Sequence, residues 1–97
     1  MEARAESERT PPLIWASVLP PPSRPSGSVE RVGRLTPYTA ETIVDSALQA
    51  GAGARLDMRV PPDLGEPALA QLRAEFAWLR RRHISVHIRR DPRLPST

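Results

Sequence analysis

The sequence predicts a small α/β domain: a mixed sheet with two helices packed on one of its faces. Two segments place apolar residues at helical spacing, and several short segments alternate polar and apolar residues with a period of two. The predicted helices alternate with strands, an order that produces right-handed crossovers and parallel strands. Because there are only two short helices, we expect both to cover the same face of the sheet.

The first predicted element is a strand formed by the apolar run 13–19, which contains β-branched and aromatic residues. Prolines flank this run on both sides, so we expect it at an edge of the sheet. The Pro-rich stretch 20–27 follows as a long loop. Residues 29–35 then form a second strand of low hydrophobicity.

The first predicted helix covers residues 40–50. Thr39 stands at the expected N-cap position, and Glu41 lies in the first turn, where an acidic side chain is favourable. Gly51 supplies the C-terminal stop. The apolar face of this helix has the spacing i, i+3, i+4, i+7, i+8 and consists of Ala40, Ile43, Val44, Ala47 and Leu48.

A third strand over residues 55–60 and a second helix from Pro67 to about residue 82 follow. The last strand alternates apolar and polar side chains over residues 84–89. The residues expected to face the core in this half of the chain are Leu56, Met58, Val60, Leu69, Leu72, Phe76, Leu79, Ile84, Val86 and Ile88.

The 97 residues suffice for one small domain. We expect a disordered segment over residues 1–12, one domain over 13–91 and a short tail over 92–97. The absence of cysteine excludes disulfides, thiolate metal sites and a cysteine nucleophile. No apolar run approaches the ~18 residues of a membrane span, and the start does not resemble a signal peptide. We therefore expect a cytoplasmic protein without membrane attachment.

The charge is unevenly distributed along the chain. Residues 1–66 carry a net charge of −2, whereas residues 67–97 carry +5. All 14 basic residues are arginine, which indicates a GC-rich bacterial genome. The run Arg80, Arg81, Arg82 is a candidate anion-binding cluster that would contact nucleic-acid phosphates. The alternative is that these arginines offset the helix macrodipole.

The sequence indicates no catalytic site, no metal site and no cofactor. His83 and His87 are four residues apart, but along a strand this spacing separates them by about 13 Å. The glycines at 51 and 53 follow a helix rather than open one, so they form a C-terminal turn and not a phosphate loop. No nucleophile turn is present. We therefore expect that the protein is not an enzyme.

Trp78 lies about 130° from the centre of the apolar stripe of the second helix. Two interpretations remain open for this side chain. It covers the helix edge beside an arginine stem, or it is exposed for a protein partner.

Residues 32–40 resemble the Gly-x-Leu-x-x-x-Thr-Ala segment that leads from strand to helix in STAS domains, the anti-sigma-factor antagonist family. The stretch 55–58 (Arg-Leu-Asp-Met) is similar to the Leu-Asp-Leu strand of that family. The Arg-rich helix end at 79–82 and the strand that follows it also resemble the family pattern. The resemblance covers about residues 28–90, and the family's usual last helix has no counterpart in this sequence.

The resemblance implies a non-enzymatic module that docks other proteins, chiefly anti-sigma kinases, and so takes part in transcription regulation. The family binds its partners through the turn before the second helix, and its Asp-Ser-Ser-Gly turn carries a phosphorylated serine. Residues 63–68 contain no hydroxyl side chain, so this control by phosphorylation is not expected here. The implied partner-binding residues are Asp63, Gly65, Glu66 and Pro67, with Trp78 as a second patch.

The alternative function is that of a small basic protein that associates with nucleic acid through its Arg-rich C-terminal third. The near absence of aromatic residues weakens this alternative for single strands. Salt dependence separates the two functions, because phosphate contacts lose affinity steeply as salt rises.

Overall fold

The computed structural model describes residues 11–23 and 27–95. The predicted α/β class, with a mixed four-stranded sheet and two helices, is confirmed. The limits of the first and third strands are those predicted. In chain order the elements are β1 (Leu13–Leu19), β2 (Val29–Arg34), α1 (Pro37–Ala50), β3 (Arg55–Val60), α2 (Glu66–Phe76), a 3₁₀ segment (Ala77–Arg82) and β4 (Ser85–Arg90).

The sheet has the strand order β2-β1-β3-β4. β1 is antiparallel to both of its neighbours, whereas β3 and β4 are parallel. Hence β2, β3 and β4 run in the same direction, as the crossovers predicted. The prediction that residues 13–19 form an edge strand was wrong, since β1 lies between β2 and β3. Its flanking prolines stand outside the strand, where a missing N–H removes no ladder hydrogen bond.

Both helices pack on one face of the sheet, as predicted. The register places Ala16 beside Met58 and Met58 beside Ile88, so these buried side chains point to the same face. The other face of the sheet carries Trp15, Asp57 and their neighbours, and no described helix lies on it. The core consists of Ile14, Ala16, Val18, Ile43, Ala47, Ala54, Leu56, Met58, Val60, Leu69, Leu72, Phe76, Leu79, Ile84, Val86 and Ile88.

α1 begins earlier than predicted. Thr36, not Thr39, is the N-cap residue: the Thr36 hydroxyl accepts a hydrogen bond from the backbone N–H of Thr39 at 3.2 Å. Pro37 follows the cap, where its fixed φ suits the first helical turn. Gly51 ends the helix, as predicted, with φ at 91° and its N–H donating to the Ala47 carbonyl.

The second helix is not α-helical throughout. It is α-helical to Phe76 and continues as a 3₁₀ helix to Arg82, which differs from the single helix expected over 67–82. The predicted apolar stripe of this helix is nevertheless correct, because its four residues are buried: Leu69, Leu72, Phe76 and Leu79. His83 ends the segment in the left-handed conformation, with φ at 62°.

Residues 11 and 12, which were predicted to be disordered, contact β2 and the residue that follows it. Arg34 donates from Nη1 to the Pro11 carbonyl at 3.1 Å, and the N–H of Leu35 donates to the Pro12 carbonyl at 2.9 Å. In the Pro-rich loop, Pro21 is buried. The rest of the predicted disordered lead (1–10), loop residues 24–26 and tail residues 96–97 lie outside the described residues.

Candidate functional site

The turn between β3 and α2, together with the first two residues of α2, is termed here the helix-entry turn (residues 61–67). The N–H of Leu64 donates to the Pro61 carbonyl at 3.2 Å, and the N–H of Leu69 donates to the Gly65 carbonyl at 3.0 Å. Gly65 is the N-cap residue of α2 and has no side chain to accept a capping bond. The turn brings together four exposed residues that the sequence singled out: Asp63, Gly65, Glu66 and Pro67.

Arg90, the last residue of β4, anchors the helix-entry turn. Its Nε and Nη2 donate to the Leu64 carbonyl at 3.1 and 2.9 Å. Nη2 also donates to the Glu66 carboxylate at 2.8 Å. The hydrogen bond and charge of Arg90 lower the pKa of Glu66 below its ordinary value. The predicted site therefore depends on a residue that the sequence reasoning did not select.

An apolar hollow of about 220 Å³ lies beside the helix-entry turn. Leu64 belongs to both features, since it lines the hollow and packs partly buried against the core. The hollow has an apolar floor and a polar rim on the exposed side of α2. It is lined by Pro12, Leu35, Leu64, Ala68, Gln71, Leu72 and Glu75.

Trp78 does not join this surface. Its side chain is 40% exposed in the 3₁₀ segment, beyond the far end of α2. α2 contains 11 residues, which corresponds to about 16 Å of helix. The helix-entry turn and Trp78 are therefore two separate surfaces.

The arginines of the C-terminal third are largely engaged within the protein. Arg80 donates to the Val86 carbonyl at 3.3 Å, and Arg73 donates to the Ile88 carbonyl at 3.4 Å. Together with the Arg90 contacts, these bonds tie α2 and its 3₁₀ extension to β4. All three arginines of the predicted cluster, Arg80, Arg81 and Arg82, are exposed, and Arg80 also donates to a carbonyl of β4.

Asp91, directly after β4, is a buried carboxylate surrounded by arginine donors. Arg93 donates to it from its backbone N–H at 2.9 Å and from Nε and Nη2 at 3.2 Å, and Arg59 approaches at 3.5 Å. The side-chain and backbone hydrogen bonds from Arg93 lower the pKa of Asp91. These contacts of Asp91 hold the first residues of the C-terminal tail beside the end of β4.

The face of the sheet opposite the helices carries a feature that the sequence analysis missed. The guanidinium carbon of Arg59 lies 4.9 Å from the centroid of the Trp15 ring, a cation–π geometry. Trp15 Nε1 is buried and has no hydrogen-bond partner in the described part of the chain. Nearby, Arg55 and Asp57 form an ion pair at 3.0 Å. The apolar run 13–19 predicted a strand, but it did not indicate which face of that strand the helices cover.

The two histidines lie in different settings. His83 is the left-handed residue after the 3₁₀ segment, and His87 lies within β4 on the face opposite the helices. Within residues 11–23 and 27–95, no group of three or more His, Asp or Glu side chains is placed to hold a metal ion. Over the same ranges, no helix combines the length and apolar character that crossing a membrane requires.

No family model, curated protein or solved structure matches this chain. The resemblance of residues 28–90 to STAS domains therefore stands on the sequence motifs alone.

Proposed function

We propose that this chain is a non-enzymatic protein–protein interaction module that docks a regulatory protein through the helix-entry turn. The observation that carries the proposal is the Arg90 anchor, which holds an exposed turn in place beside an apolar hollow. A loop that is already held in one conformation loses less entropy when it binds a partner.

The composition of the surface supports a protein as the partner. Interfaces combine an apolar centre with a polar rim, and the hollow has this arrangement. Leu35, Leu64 and Leu72 supply the apolar floor, on which an aliphatic or aromatic side chain of the partner would bind. Glu75 supplies an exposed carboxylate on the rim of the hollow, which favours a partner with a basic residue there, whereas the Glu66 carboxylate is already paired with Arg90.

We further propose that the module acts as an anti-sigma-factor antagonist-like regulator in the bacterial cytoplasm, without phosphorylation control. This finer assignment rests on the resemblance of residues 28–90 to STAS domains. Phosphoryl transfer to the turn would require a hydroxyl side chain, and residues 63–68 offer none. Binding is then constitutive, with affinity governed by the shape and charge of the turn.

The alternative partner is nucleic acid, bound through the Arg-rich C-terminal third. The contacts favour a protein partner over it, because Arg73, Arg80 and Arg90 already donate to backbone carbonyls. These contacts give the three arginines a structural role. Arg81, Arg82 and Arg89 remain exposed for phosphate contacts.

The experiment is a titration of the full chain with an anti-sigma kinase domain from the same organism, with and without ATP. We expect saturable binding that ATP does not change, a weak dependence on salt, and no phosphate on residues 63–68 by intact-mass and peptide analysis. A parallel titration with a single-stranded and a duplex oligonucleotide tests the alternative. No binding to the kinase, together with oligonucleotide affinity that falls steeply with salt, would replace the proposed function by nucleic-acid association.

A further inference from the structure

We infer that the free edge of β2 pairs with β2 of a second copy of this chain, antiparallel and with Val32 opposite Val32. The two four-stranded sheets would then form one continuous sheet across the dimer. This inference does not rest on the proposed docking function, because it uses the edge groups of Glu30, Val32 and Arg34, none of which lines the apolar hollow.

Within residues 11–23 and 27–95, side chains protect one edge of the sheet and leave the other edge unpaired. At the β4 edge, the side chains of Arg73 and Arg80 donate to the Ile88 and Val86 carbonyls. At the β2 edge, no described side chain bonds to the outward backbone groups of Glu30 and Val32. β2 has no proline within it, and proline is one of the devices that prevents edge pairing.

The hydrogen-bonding phase of β2 is fixed by its contacts with β1. The N–H of Leu35 donates to the Pro12 carbonyl, and these two residues are in register with the Leu13–Arg34 pair. Since hydrogen-bonded pairs alternate in an antiparallel ladder, Gly33 and Arg31 also bond inward to β1. The outward N–H and C=O groups therefore belong to Glu30, Val32 and Arg34.

A two-fold axis at Val32 places the outward N–H and C=O groups of one copy opposite complementary groups of the other. The two copies of Val32 form a hydrogen-bonded pair that exchanges both of its bonds. Glu30 lies opposite Arg34 of the second copy, and each Arg34 N–H faces a Glu30 carbonyl. The Arg34 carbonyl already accepts from the N–H of Thr36 at 3.0 Å, so the ladder ends there.

The charged side chains of β2 favour this register over registers that are shifted along the strand. Centred on Val32, both outer pairs join Glu30 to Arg34, and opposite charges directly across a ladder are favourable. Registers centred on Glu30 or on Arg34 place like charges opposite each other. Val32, at the centre, is 64% exposed in the single chain and would contact its counterpart. Arg31 lies opposite Gly33 of the second copy, where a Cβ would meet no atom within 4 Å.

The test is a charge exchange between two variants, measured by sedimentation equilibrium of the full chain over a range of concentrations. We expect the natural chain to dimerise. Glu30→Arg and Arg34→Glu each convert both outer pairs into like charges, and each should raise the dissociation constant at least about tenfold. An equimolar mixture of the two variants restores opposite charges at both pairs, so it should dimerise like the natural chain.

Arg31→Glu serves as the matched control, because it changes the net charge as Arg34→Glu does but faces a glycine across the pair. Arg34 also bonds to the Pro11 carbonyl, so thermal melts accompany each variant. If Arg34→Glu fails to fold, Glu30→Arg compared with Glu30→Gln makes the same test. Both variants remove the carboxylate and keep Arg34, but only Glu30→Arg places like charges opposite each other and should weaken the dimer more. A natural chain that stays monomeric at about 1 mM, or variants that dimerise as it does, would overturn the inference.

Discussion

The guanidinium of Arg90 donates two hydrogen bonds to the carbonyl of Leu64, at 3.1 and 2.9 Å. The end of β4 thereby holds the entry of α2, across 26 residues of sequence. The exposed residues of the helix-entry turn lie on either side of Leu64 in the chain, so this contact holds them in place. Their arrangement depends on the last strand, through the Leu64 carbonyl and the Glu66 carboxylate.

Arg90→Met keeps most of the side-chain stem and removes the donors. We expect the free energy of unfolding to fall by about 1 kcal/mol, since hydrogen bonds to a charged group are lost at a partly exposed site. We also expect faster hydrogen exchange at the amides of Leu64 and Leu69. Arg89→Met is the matched control and should change neither quantity. Unchanged exchange in Arg90→Met would show that the turn is held by its own backbone bonds.

Leu72→Ala and Phe76→Ala should each lower the free energy of unfolding by roughly 2–5 kcal/mol. Both side chains lie on the buried stripe of α2, at 7% and 1% exposure. In a domain of this size, such a loss is a large part of the total stability. Denaturant melts measure it, with Tyr38→Ala, at an 80% exposed position, as the control. A loss below about 1 kcal/mol for Phe76→Ala would contradict the packing described here.

Gly53→Ala should lower the free energy of unfolding by about 1–2 kcal/mol. Gly53 has φ at +91°, and a Cβ there would lie 3.0 Å from the Cβ of Pro21. Gly65→Ser is the contrasting variant, because Gly65 has φ at −69° and its Cβ would meet only ordinary contact. The serine should cap α2 and raise stability by a few tenths of a kcal/mol. Equal stability of the two variants would contradict the account of the 51–53 turn.

Acid should destabilise the protein through Asp91. Its pKa is lowered in the folded chain by the hydrogen bonds from Arg93, so the unfolded chain binds more protons below the ordinary pKa of the group. The stabilisation is present above that pKa and is lost as the pH falls through the lowered value. Denaturant melts at several pH values should show a smaller loss of stability below about pH 4 for Asp91→Asn.

The Glu66 carboxylate, whose pKa is lowered by Arg90, contributes to the acid dependence with the same sign. Part of the dependence should therefore remain in Asp91→Asn and should decrease further in the double variant Glu66→Gln, Asp91→Asn. An acid dependence equal to that of the natural chain in both variants would rule out these two carboxylates as its source.

Most helices and strands could be predicted because each of them is determined by residues that lie close together in the chain. The third strand could be delimited at residues 55–60 since two prolines follow an alternating run. The start of α1 was misplaced because two threonines compete for the cap. Pro37 at the first helical position favours Thr36, and this signal was present in the sequence.

Long-range features could not be predicted in the same way. Whether β1 lies at an edge or in the centre depends on which strands pair with it, and flanking prolines do not report on pairing. Likewise, nothing near Arg90 indicates that it reaches a carbonyl in the helix-entry turn. The residues of that turn could be selected from the sequence, whereas the group that holds them could not.

If a protein docks on the helix-entry turn and its apolar hollow, a long side chain added inside the hollow should weaken its binding more than the same side chain added elsewhere on α2. Ala68 lines the hollow, whereas Ala74 does not line it and is exposed on the solvent side of α2, about 120° from Ala68 around the helix axis. Ala68→Arg and Ala74→Arg therefore add the same side chain inside and outside the proposed interface. Titration of the anti-sigma kinase domain should give about tenfold weaker binding for Ala68→Arg and unchanged binding for Ala74→Arg. Equal affinities of the two variants would contradict the claim, and tighter oligonucleotide binding by both would indicate a nucleic-acid partner.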